Sequence, residues 1–199
     1  MRKLVMFNRV SADGYFADAS GGLDWSVPEP AIDKEAVKNL GGSDTVLFGR
    51  KTYENFESFW PHVLDQSPTA PDPHGAGRRT PEMRAIAVWL NDATKLVYSS
   101  QRKDVSWKNS RLLARFDPDQ LRELKQQPGK DLIIFGSGSI VSLLAQHRLI
   151  DEYRFVVNPV LLGSGQSMLR GLPKCLKLQL QESKAYPAGN VLLAYRPAD

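Results

Sequence analysis

One cysteine, Cys175, occurs in 199 residues. A single thiol excludes an internal disulfide and any multi-cysteine metal site. The histidines are equally sparse. His62 and His74 lie in a proline-rich segment without ligand-like spacing, and His147 follows a helical pattern where a cation suits the helix end. No metal is expected. No apolar run approaches the ~20 residues of a membrane span, and Met1-Arg2-Lys3 leads directly into a strand-like run rather than a signal peptide. These absences predict a soluble, cytoplasmic protein with no membrane partner. The net charge is only +4. Its Lys and Arg residues are dispersed, which points away from nucleic acid and suits a small anionic ligand. There are no internal repeats and no composition shift that would mark a boundary, so residues 1–199 are expected to form one domain.

What the chain does have is a recurring unit in which a short apolar strand runs through glycine into a helix. Leu132-Ile133-Ile134-Phe135 is followed by Gly136-Ser137-Gly138-Ser139 and then by Ile140, Leu143 and Leu144 at helical spacing. Ser139 is the expected N-cap. Small residues before a helix N-terminus let free N–H groups and the positive helix end face an anion. A tight turn with no ligand would look the same. A third glycine where Val141 stands would be needed for the dinucleotide fingerprint of doubly wound folds, and the P-loop Gly-Lys-Ser/Thr is missing too. Thr45-Val46-Leu47-Phe48 repeats the unit, running into Gly49-Arg50-Lys51-Thr52. Cations at a helix start oppose the macrodipole, which is easier to explain if an anion sits between them. A third strand, Lys95 to Tyr98, ends in Ser99-Ser100-Gln101-Arg102, hydroxyls and a guanidinium suited to a phosphate.

Elsewhere, Lys3 to Val10 reads as a buried strand, followed by the Asp13-Gly14 turn and a glycine-containing loop anchored by Trp25. Pro28 to Leu40 reads as a helix with Asp33 beside its apolar face. The spacing alone makes Asp33 a solvated carboxylate that complements the helix dipole. Residues 61–81 hold five of the thirteen prolines and read as a surface loop insertion too polar for the core. Helices are expected from Pro81 to about Leu90 and from Pro118 to Lys125, and a strand from Ile150 to Val157. Leu176, Leu178 and Leu180 alternate with polar residues, predicting a half-buried strand that pairs with Val191 to Tyr195.

Phe48 to Glu54, Val97-Tyr98-Ser99-Ser100 and Phe135 to Ser139 resemble the three cofactor segments of the dihydrofolate reductase fold. Ser11-Ala12-Asp13-Gly14, Asp151 to Pro159 and Leu162 to Gly165 resemble its riboflavin-biosynthesis reductase branch, the C-terminal domain of the bifunctional deaminase-reductase and its stand-alone relatives. The resemblance implies an α/β protein with a mixed, mainly parallel sheet of about eight strands, helices on both faces and a C-terminal antiparallel hairpin. It implies NADPH as cofactor, hydride transfer to a small heterocyclic, carbonyl or imine substrate, and a homodimer. Gly49, Arg50, Lys51 and Thr52 match the helix start that meets the cofactor. Ser99, Ser100 and Arg102 match the adenosine-side pocket, Gly136, Ser137, Gly138 and Ser139 the diphosphate cradle, and Trp25 the mobile loop over the nicotinamide. Asp33, sixteen residues ahead of Gly49, stands where folate reductases place their pterin-binding acid. Asp33 and Asp13 are the catalytic candidates, as orienting carboxylates or a proton relay. The zinc ligands of a deaminase half are absent, as is a clear phosphate-binding set for a ribosylated pyrimidine. Dihydrofolate reductase itself, and an NADPH-binding module without turnover, are the alternatives.

Overall fold

The computed structural model describes residues 1–65, 67 and 79–198. Eight strands form the main sheet: β1 (Leu4–Ser11), β3 (Ser43–Gly49), β4 (Thr94–Tyr98), β5 (Ser110–Leu113), β6 (Asp131–Phe135), β7 (Glu152–Asn158), β9 (Leu178–Ala185) and β10 (Val191–Pro197). Their order is β5-β4-β3-β6-β1-β7-β10-β9. Neighbours are parallel from β5 to β7, and β10 runs antiparallel to β7 and β9. A short second sheet pairs β2 (Tyr15–Ala17) with β8 (Gln166–Ser167). The mixed sheet and its C-terminal hairpin agree with the reading above; the second sheet was not legible in the sequence.

Alternation along β1 sorts its side chains onto two faces. Leu4, Met6 and Val10 join a core with Ile140, Val141 and Leu144 of α5 (Gly138–Gln146) and Leu121 of α4 (Pro118–Gln126). Phe7 turns the other way, toward Ile32 of α1 (Pro30–Leu40). That second face also carries α2 (Arg50–Phe59) and α3 (Pro81–Asp92), through Tyr53, Phe56, Ile86 and Leu90 against Val46, Phe48 and Val97. Helices therefore cover both faces.

Three expectations change. Strand β9 is exposed along nearly its whole length, Leu180 at 50%, because it is an edge strand of the sheet. The segment after Trp60 is not uniformly peripheral. Val63 is fully buried against Phe59 and Ala87, just past a short 3-10 turn at Trp60–His62. The rest of the proposed loop, including His74, lies mostly outside the described residues. The N-cap of α5 is Ser137 rather than Ser139, which sits exposed in the first turn.

One buried cation has a testable pH signature. Lys95 on β4 is completely buried. Its Nζ donates to the Leu90 and Ala93 carbonyls at the end of α3, at 2.6 and 2.8 Å, and lies 4.6 Å from the Trp107 ring centre. Burial pushes its pKa down to about 8, with Lys108 adding to this and Asp92 opposing. The unfolded chain keeps that proton to nearly 10.5, so between these values it binds more protons than the folded chain. Stability from this group then rises with pH. Above ~10 the trend is opposed by Tyr98 and Tyr153, which burial pushes up to about 12. Urea unfolding at pH 7.5 and 9.5 should show wild type gaining stability relative to Lys95→Met. A flat difference would mean that the carbonyls and the ring hold the ammonium charged.

Candidate active site at the ends of the parallel strands

Strands β3 and β6 are adjacent and parallel, yet the helices that follow them, α2 and α5, pack on opposite faces. This divergence makes the crevice beyond their C-terminal ends a topological switch point, the usual ligand position in open α/β sheets. Both helices begin there. Capping sets them apart from the other three. Helix α1 is capped by the Glu29 carboxylate, α3 by the Thr80 hydroxyl and α4 by the Asp117 carboxylate. Helices α2 and α5 have no side-chain cap and no acid in the first turn. Their N-terminal N–H groups and positive ends thus lack side-chain compensation within the helices.

The two starts are laced together. Gly49 N–H donates to Ser137 Oγ at 2.9 Å, and Ser137 N–H donates to Thr52 Oγ1 at 2.9 Å. Gly136 and Ser137 both adopt positive φ, 53° and 56°. A Cβ on Gly136 would lie 2.9 Å from Thr52 Oγ1, so only glycine fits this turn. Asn8, on β1 and 5% exposed, holds the same turn. Its Oδ1 accepts from Gly136 N–H in a short bond, and its Nδ2 donates to the Gly136 carbonyl at 3.3 Å. At Gly138 the space a side chain would need is filled by the Phe16 ring, 2.8 Å from an added Cβ. Packing therefore requires that glycine with or without a ligand.

Glu54 brings two predicted cations together. Arg50 Nη1 pairs with Glu54 Oε2 at 3.0 Å, and Arg102 Nη1 lies 3.8 Å from Glu54 Oε1. Arg102 also pairs with Glu57 at 3.1 Å and lies over the Tyr53 ring. Burial alone would raise the Glu57 carboxyl, but hydroxyls of Ser106 and Tyr53, with Arg102, hold it below its usual range. Two carboxylates on α2 thus already face these guanidiniums, and any external anion would compete with them. Ser99 Oγ accepts from the Gln101 and Arg102 N–H groups, turning the chain after β4; Ser100 and Lys51 are exposed.

The other candidates lie apart from this cluster. Asp33 is not simply solvated. It is half-buried and faces Arg9 of β1 at 3.5 Å. Burial raises its pKa, with Arg9 opposing and Glu82 and Glu29 adding to the rise. Asp13 accepts from Ser11 Oγ at 2.6 Å and from the Leu162 and Gly163 N–H groups. Those donors, the hydroxyl foremost, hold its carboxyl below its usual range. It fastens one loop to another and is poorly suited to donate a proton. Trp25 Nε1 donates to the Gly22 carbonyl at 3.1 Å, closing its own loop.

Asn8, Arg9, Glu54 and Glu57 were missed by the sequence reading. Asn8 had a signal: it falls on the inward register of Leu4, Met6 and Val10, where a lone amide must find partners.

The family model for the RibD C-terminal domain matches residues 2–192. YyaP of Bacillus subtilis (strain 168), itself uncharacterized, is 23% identical over 98% of this chain and 94% of its own. Among solved structures, a protein assigned to riboflavin biosynthesis from Shewanella sp. PV-4 superposes with a TM-score of 0.73, at 20% identity and 99% coverage of both chains. Dihydrofolate reductase from Enterococcus faecalis, solved with NADP(H), superposes at 0.63 with 11% identity, covering 99% of this chain and 97% of that one. The fold is thus that of dihydrofolate reductase, and the chain belongs to the RibD C-terminal domain family.

Proposed function

We propose that this protein is an NADPH-dependent reductase that transfers hydride to a small heterocyclic, carbonyl or imine substrate, in the manner of 5-amino-6-(5-phosphoribosylamino)uracil reductase. The observation that carries the reading is the pair of uncapped helix starts at the switch point. Those two starts fit a dinucleotide diphosphate. The Gly138 and Ser139 N–H groups have no backbone acceptor among the described residues. Gly49, Arg50, Lys51, Thr52 and Gly136 to Ser139 would hold the diphosphate, Ser99, Ser100 and Arg102 the adenosine side, and Trp25 would border the nicotinamide. Bound there, the cofactor supplies the hydride; the chain's part is to position the substrate and exclude water. A homodimer belongs to the same reading, and light scattering on the purified protein tests it.

Cofactor choice tests the pocket. A hydrogen bond to a charged group contributes roughly 1.5–3 kcal/mol, or about 10- to 150-fold in affinity. A 2′-phosphate must here compete with Glu54 and Glu57 for the guanidiniums, so the preference for NADPH over NADH is expected near the low end, about tenfold. Glu54→Gln should enlarge it by removing the competitor, and Arg102→Ala should erase it. Paired dissociation constants at one ionic strength decide this. Equal affinities in all three proteins would place the 2′-phosphate elsewhere.

A further inference from the structure

Arg9 has no partner equal to its chemistry. It lies near the C-terminal end of β1, on the face of Phe7, whose ring meets Phe135 at 6.2 Å just before the Gly136 turn. The preceding residue, Asn8, holds that turn from the opposite face. Arg9 therefore stands beside the proposed cofactor crevice, turned toward α1. Its side chain is 26% exposed. A guanidinium has five N–H donors, yet among the described residues its hydrogen bonds are two at the limit of bonding, to Val27 O and Asp33 Oδ1, each at 3.5 Å. A half-buried cation held this loosely is unfavourable by itself. Asp33 meanwhile senses two further carboxylates, Glu29 and Glu82, and among the described residues Arg9 is the cation acting on it. Without Arg9 this end of α1 would be an acidic pocket attractive to cationic rings. With it, an N–H donor lies beside a carboxylate acceptor.

Resting on the reductase reading, we infer that Arg9 is the specificity-determining residue of the substrate side, pairing with Asp33 to take the adjacent C=O and N–H of a neutral lactam ring and to turn away protonated diaminopyrimidines. Guanidinium N–H groups meet the carbonyl, and the Asp33 oxygens meet the ring N–H. The same charge opposes the rise that burial imposes on the Asp33 carboxyl.

The test is calorimetric titration of wild type, Arg9→Met and Arg9→Lys with 5-aminouracil, and with 2,4-diaminopyrimidine at a pH where that ring is protonated. NADPH is titrated against the same samples. Wild type should bind the uracil at least about tenfold more tightly than the cation. Arg9→Met should lose that order or reverse it. Arg9→Lys should still reject the cation, because it keeps the charge, but should bind the uracil more weakly, because it lacks the planar fork. An unchanged ratio in a folded Arg9→Met or Arg9→Lys protein, or a wild type that binds neither probe, overturns the inference. If NADPH still binds in those cases, only the role of Arg9 is lost. If wild type does not bind NADPH, the reductase reading falls with it.

Discussion

Gly136→Ala should all but abolish NADPH binding and visibly destabilise the protein. The residue sits at φ 53°, where a side chain costs roughly 1–2 kcal/mol. The added methyl would also lie 2.9 Å from Thr52 Oγ1 and 3.0 Å from its Cγ2. Thr52 must therefore move, and its hydroxyl is the acceptor that ties α2 to the Ser137 N–H. Losing that bond removes about another 0.5–1.5 kcal/mol and lets the two helix starts drift apart. Gly163→Ala is the control. That glycine has φ 68° with nothing within 4 Å of an added Cβ, so it carries the conformational penalty without the displacement. Urea unfolding and NADPH fluorescence titration should show a larger stability loss for Gly136→Ala and a binding defect confined to it. Equal behaviour would mean that only backbone strain matters here and that the lacing of α2 to α5 does not.

Asn8→Leu should be nearly as damaging. The change preserves approximate size but strips Gly136 of the acceptor for its N–H and the donor to its carbonyl. A buried group left unsatisfied costs about 1–3 kcal/mol, and two are exposed to that fate. The turn can relieve the loss only by opening, which would spoil the presentation of α5. The expected result is a lowered unfolding midpoint, faster amide exchange at Gly136 and weaker NADPH binding under conditions where the protein remains folded. Weaker stability with unchanged NADPH affinity would make Asn8 a packing residue and nothing more.

Fold and site differed in how readily they could be read. The strand–glycine–helix units around Gly49 and Gly136 follow from local apolar periodicity and small residues, and both units formed, the second with its cap at Ser137 instead of Ser139. So did the C-terminal hairpin, whose alternation is local even though its exposure is not: β9 became an unprotected edge because of its place in the strand order. The zone between Asp104 and Phe116 carries apolar residues without a clear strand alternation, so a short strand was as much as it allowed; β5 forms there through its pairing with β4.

The amino-acid sequence by itself determined where strands stop, where helices start and which turns must be glycine, because those choices depend on φ preferences and on spacings of two or 3.6 residues. Tertiary structure alone decided who faces whom. Asn8 meets Gly136 across 128 positions because β1 and β6 are neighbours. Arg102 meets Glu57 because β4 lies next to β3, which leads into α2. Arg9 meets Asp33 because α1 folds back over β1. Charge pairing acts through space over a few ångströms, so a cation that looks unpaired along the chain acquires its carboxylate only when the sheet is assembled.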